Sequence, residues 1–210
     1  MGVTIMKKTL LTTALISGAV LGLGAMNSVS AADTNTSKDT TASATFTAGE
    51  DPTNPGSGPL SLKSATAAID FGSKPISAKA DTLNSNTDID VTVNDLRGTF
   101  VGWKVNVSGA KLMSDEKEPT ELKGATISLP AGTASSVDGS SDAIAGITAT
   151  ATANVLDGGA EIMAPAKSGT GEISTKYAQA GINLGVIGGS AHAAKYSTTL
   201  NWTLTDSPVA

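Results

Sequence analysis

An alternation of apolar and polar residues with a period of two runs through most of the chain beyond residue 60, and few architectures can use it. In a strand successive side chains point to opposite faces, so alternation at this period marks strands with one buried and one solvated side. Residues 147–155, "ITATATANV", put Ile147, Ala149, Ala151, Ala153 and Val155 on one face and Thr148, Thr150, Thr152 and Asn154 on the other. In "TDIDVTVND" Ile89, Val91 and Val93 oppose Asp88, Asp90 and Thr92, and "GWKVNVSG" aligns Trp103, Val105 and Val107 against Lys104 and Asn106. Near the end Leu200, Trp202 and Leu204 share one face while Thr199, Asn201 and Thr203 share the other. Residues 67–71, 125–129 and 180–187 read as further strands, separated by Gly, Ser, Asp and Pro clusters. The nearest approach to a helical period, "AQAGINLG", carries two glycines that count against a helix. Many short strands without helices predict an all-β fold, an antiparallel β-sandwich, with a β-barrel-like Greek key as the alternative. Ala, Val and Ile supply much of the expected interior, so the two tryptophans are its largest single contributions.

The first thirty-one residues have the composition of a signal peptide. Lys7 and Lys8 precede an apolar run from Leu10 to about Ala25, and Val29 to Ala31 place small residues at a cleavage site. Residues 32–59 are rich in Thr, Ser, Pro and Gly and read as a flexible leader, followed by a β domain over 60–210. Without residues 1–31 the chain keeps 12 basic against 19 acidic side chains, a formal charge of −7. An acidic surface argues against nucleic acid and against an anionic membrane, both of which need Lys and Arg patches. The absence of cysteine excludes a disulfide framework, a thiol nucleophile and lipidation at a Cys. The sequence has no LPxTG signal and no hydrophobic tail at its end, so covalent anchoring by those routes is not expected.

Residues that could carry chemistry are sparse. His192 is the only histidine, no GxSxG elbow accompanies it, and it reads as an ordinary surface residue. Asp88 with Asp90, the run "SDEKEPTE" with Asp115, Glu116, Glu118 and Glu121, and "DGSSD" at 138–142 are carboxylate clusters. None has the alternating ligand spacing of a calcium loop, and all read as solvated faces and turns. The pairs "DGGAE" and "IGGSA" lack dinucleotide spacing and read as turns. No catalytic residue, metal site or cofactor is expected.

Two motifs remain. "NDLRGTFVGWKVNVS" and "YSTTLNWTLTDSP" resemble the paired Trp-x-apolar motifs of the WxL domain of Gram-positive surface proteins, with Val105 where Leu is usual. Tyr196, Leu200, Trp202, Leu204 and Pro208 fit the distal pattern, and "DPTNPGSGPLSL" followed by "IDFG" fits the family's entry segment. The resemblance implies an extracellular, non-enzymatic protein held non-covalently on the cell wall, with peptidoglycan as ligand. It also implies association with a membrane-anchored WxL-interacting partner and with other surface proteins. The binding residues it points to are Trp103, Val105, Tyr196, Leu200, Trp202 and Leu204. Two placements of the indoles stay open: both in the core on neighbouring strands, or one or both lining a groove against a sugar ring.

Overall fold

The structure is a computed structural model that describes residues 40–52 and 58–206. Residues 45–210 form one compact unit, and of the unit before it, Met1–Ala44, the described residues 40–44 are exposed and irregular. The signal-peptide expectation over 1–31 and Pro208 lie outside the described residues.

Among the described residues thirteen strands follow in chain order: β1 (Leu60–Ala65), β2 (Asp81–Asn84), β3 (Ile89–Asp95), β4 (Trp103–Gly109), β5 (Met113–Ser114), β6 (Thr126–Ser128), β7 (Thr133–Ser136), β8 (Thr148–Ala149), β9 (Ala160–Ala164), β10 (Gly171–Tyr177), β11 (Asn183–Val186), β12 (Tyr196–Ser197) and β13 (Leu200–Thr205). Among the described residues the only helical elements are two single 3₁₀ turns, Asp142–Ile144 and Gln179–Gly181. Every pairing is antiparallel. Two four-stranded sheets, ordered β1-β3-β10-β7 and β13-β4-β9-β8, enclose one apolar core and meet along their edges, β1 beside β13 and β7 beside β8. A three-stranded sheet, β2-β11-β6, and a two-stranded one, β12-β5, continue the structure to one side. None of the four closes on itself, so the architecture is the expected sandwich and not the barrel-like alternative.

Register explains how the motifs become core. Trp103, Val105 and Val107 of β4 face Ala164, Ile162 and Ala160 of β9, and all six are buried. In the opposite sheet Val93 pairs with Ile173, and Val91 with Thr175. Small alanines opposite Trp103 and Val107 leave room for larger side chains in the same layer, as close packing requires. Trp103 is completely buried and its Nε1–H donates to the Gly169 carbonyl at 2.8 Å. Glycines make the space for this ring. A Cβ on Gly169 would lie 2.6 Å from Trp103 Nε1, and one on Gly102 would lie 2.3 Å from the Ala164 carbonyl oxygen, where φ is +81°.

Four expectations are corrected. Residues 147–155 do not form one strand: β8 ends at Ala149, and Ala151 and Ala153 are exposed. Thr150 still donates its amide to Glu161, but Thr152 pairs with Leu129 and the Val155 amide reaches Ile127. The segment thus crosses from the β9 edge to the β6 edge, and alanine side chains bury too little area to hold it on one sheet. Residues 67–71 are irregular and line a groove described below. The runs 125–129 and 180–187 contain strands of only three and four residues, β6 and β11. Finally, the polar face of β3 is solvated only at its start: Asp90 is exposed, but Thr92 and Asn94 are buried. β3 lies between β1 and β10, whose Lys63 and Glu172 join at 2.7 Å, so that their ion pair passes over its outer face.

The segment before β1 is attached to the unit. The Gly49 amide donates to Leu96 at 3.0 Å, Asp51 is buried, and the Leu96 amide donates to Pro59.

Candidate functional site

The six motif residues separate into two groups. Trp103 and Val105 lie in central strand β4 and are sealed in the core. Leu204, opposite Val105 in edge strand β13, packs half-buried against the same core. Tyr196, Leu200 and Trp202 instead line a groove of about 1150 Å³. β13 is hydrogen-bonded on one side only, by β4, with β1 lying beside its other flank, so its inward residues are less completely covered than those of β4. Trp202 therefore pairs with Val107 on the inner face, stacks at a tilt on Tyr177 with centroids 6.1 Å apart, and still reaches the groove.

The base of the groove is aliphatic. Ile127, Leu184, Leu112 and Leu122 are buried there, with Leu83 and Val186 partly so. Residues 66–77, which are irregular, and residues 191–199, which carry the short strand β12, complete the lining. The first is anchored by the Asp70 carbonyl, which accepts the Asn86 amide at 3.0 Å, and by the Asp70 carboxylate, which accepts the Gly72 amide and Asn86 Nδ2 at 2.9 Å each. Those two bonds hold the Asp70 carboxyl below its usual range, the Gly72 amide contributing most. Lys74 pairs with Asp81 at 2.7 Å, and Lys79 and Lys195 also line the groove.

The second segment is tied to the loop 115–120. The carboxylate of Glu116 can only accept, so His192 Nε2 carries the proton it shares with Oε2 at 2.6 Å. In the neutral ring Nδ1 then accepts from Tyr196 Oη, also at 2.6 Å, while Oη accepts the His192 backbone N–H at 3.2 Å. The two rings meet edge to face at 5.5 Å. The bond from His192 lowers the Glu116 pKa. His192 is on the surface, as expected, but both ring nitrogens are engaged. Sequence reasoning missed this string, because Glu116 and His192 are 76 residues apart; the spacing of His192 and Tyr196 in "HAAKY" was the one local signal.

It also missed the role of Arg97, the one arginine of the sequence. Its guanidinium, mostly buried, bonds both Asp95 carboxylate oxygens at 2.9 and 2.7 Å, the Gly102 carbonyl at 2.8 Å, and Asp206. The Asp95 bonds raise its pKa above the usual value. One side chain thereby joins the start of the proximal motif to the end of β13, fixing the edge strand that carries Trp202.

The carboxylate clusters are engaged internally. Asp88 accepts from Lys176 and the Gln179 amide, Glu121 from Lys111, and Asp138 from Ser136 and the Ser140 amide. Among the described residues no group of three or more His, Asp or Glu side chains is placed to hold a metal ion. The arrangement as a whole is a groove suited to holding a ligand: an apolar base, a rigidly tied rim and charges at its margin.

Compared with known proteins, the chain matches a family model described as "WxL domain surface cell wall-binding" over residues 27–208. No curated protein and no solved structure gives a significant match.

Proposed function

Since the chain belongs to the WxL family of surface cell wall-binding domains, we propose that it is a non-enzymatic surface protein of a Gram-positive bacterium, attached to the wall without a covalent bond by contact between peptidoglycan and the Trp202 groove. The observation that carries this reading is the convergence of Tyr196, Leu200 and Trp202, all from the distal motif, on one groove. Export by the signal sequence at 1–31 brings the domain to the wall. Charge cannot hold it there: an acidic chain and the anionic polymers of such a wall repel at distances up to a Debye length, about 8 Å at physiological salt. Attachment then rests on short-range burial and hydrogen bonding.

Co-sedimentation of the purified chain with peptidoglycan stripped of proteins and anionic polymers tests this. Saturable pelleting that Trp202→Ala weakens, with the circular dichroism spectrum unchanged, is the expected result. A folded chain that stays in the supernatant would refute direct attachment and assign the contact to a membrane-anchored partner.

A further inference from the structure

We propose that the part of peptidoglycan the groove holds is the stem peptide, bound as an added extended strand, and not the glycan; the inference rests on the reading of the groove as the wall contact. Three features of the groove point to it.

The base is aliphatic. A sugar ring carries its hydroxyls around its rim, and burying them against Ile127, Leu184 and Leu83 without partners costs roughly 1–3 kcal/mol each. Tyr196 Oη, the only phenol of the lining, is already engaged with the His192 ring and amide. Trp202 is half-buried and leans on Tyr177, so its ring is no open platform. The methyl groups of an alanine-rich peptide fit such a base without loss.

The margin has open backbone. Between Ala67 and Phe71 no amide N–H finds an acceptor among the described residues, and this segment lines the groove. An added strand pairs with every second residue of such a segment, whose N–H groups are open here, and a glycan has no regular acceptor row to match them.

The margin is also cationic on an acidic protein. Lys79 and Lys195 enter no ion pair among the described residues, whereas Lys74 is neutralised by Asp81. Lys195 lies close enough to Asp70 for its charge to be felt there. Against the one carboxylate of Asp70, the two ammonium groups leave the margin net positive, and stem peptides carry free carboxylates that the unmodified sugars of the glycan backbone largely lack. The volume of about 1150 Å³ exceeds the ~300–1,000 Å³ of ordinary small-molecule pockets, which suits a short peptide.

The test compares three probes in pelleting and competition: intact stripped sacculi, glycan from which the stems have been cleaved by an amidase, and a synthetic alanine-rich stem pentapeptide with a free C-terminus. The expected result is pelleting with intact sacculi, none with stem-free glycan, and displacement from sacculi by the pentapeptide. The double variant Lys79→Glu/Lys195→Glu should keep its thermal midpoint and bind sacculi about tenfold or more weakly, as loss of a charge-assisted contact implies. Equal pelleting with stem-free glycan and no displacement by the pentapeptide would overturn the stem assignment while leaving wall attachment standing. No pelleting with intact sacculi would overturn both.

Discussion

Trp103→Phe separates the roles of the two tryptophans more cleanly than any alanine substitution. Phenylalanine keeps an aromatic ring in the same layer but removes the indole N–H and part of the bicycle. Trp103 is fully buried and its Nε1–H serves the Gly169 carbonyl at 2.8 Å. Leaving a buried acceptor unpaired costs about 1–3 kcal/mol. The lost ring atoms leave a void between Ala164 and Gly169, and at roughly 24 cal/mol per Å³ of residual cavity this adds about 1 kcal/mol. The sum, about 2–4 kcal/mol, lowers the melting temperature by roughly 5–15 °C for a domain of this size. Calorimetry and urea unfolding would read it, with Trp202 as the single remaining tryptophan. The variant should still pellet with peptidoglycan below its transition, because Trp103 does not touch the groove. A loss under about 0.5 kcal/mol together with abolished pelleting would refute the reasoning, since Trp103 would then be a contact and not a core residue.

Other perturbations follow from the same geometry. Gly102→Ala forces a Cβ to 2.3 Å from the Ala164 carbonyl at φ +81° and should cost about 2 kcal/mol or more in urea unfolding; near-neutrality would contradict the placement of that turn. Burial pushes the Tyr177 phenol up to about 12 from its ordinary 10.0. The folded state therefore holds the proton longer than the unfolded state, so stability is intact below pH 10 and falls as pH rises toward 12. In a Tyr196→Phe background, ultraviolet titration should show phenolate forming together with unfolding, and ionisation near pH 10 in a chain that stays folded would refute it. At the acid end, Asp70, Asp88 and Glu116 have lowered folded-state pKa values, so the stability they contribute is present above their ordinary values of 3.8, 3.8 and 4.5 and is lost as pH falls below them. Acid titration followed by circular dichroism should show destabilisation confined to that range, and a midpoint above pH 6 would refute the assignment. Arg97→Lys keeps the charge but not the fork that binds both Asp95 oxygens and Asp206; peptidoglycan binding should weaken severalfold as the β13 end loosens, and unchanged binding would deny the clamp a role.

Strands β3, β4 and β13 were legible because large apolar residues alternate in them, and each such side chain gains about 1.5–3 kcal/mol from burial. The alternation at 147–155 was as regular but is made of Ala and Thr, whose burial is too weak to hold a register, and there long-range bonds to Glu161, Leu129 and Ile127 decide the path. Trp103 and Trp202 sit in near-identical local patterns, x-W-x-apolar. What distinguishes them is that β4 is central and β13 an edge, and strand order is a property of the whole sheet. The distal motif residues were therefore found by sequence, while their division into core and groove was not. The aliphatic base of the groove was invisible for the same reason, since β2, β6 and β11 are short and 100 residues separate Leu83 from Leu184 in antiparallel partners.

On the function proposed above, Trp202 is where the wall is touched. In the Trp103→Phe variant Trp202 is the sole tryptophan, and acrylamide quenching of its fluorescence can be followed as solubilised peptidoglycan is added. Partial accessibility in the free protein and a saturable loss of quenching that tracks binding are the results expected of that contact. Saturable binding measured in parallel by sedimentation, with the quenching of Trp202 unchanged throughout, would contradict it.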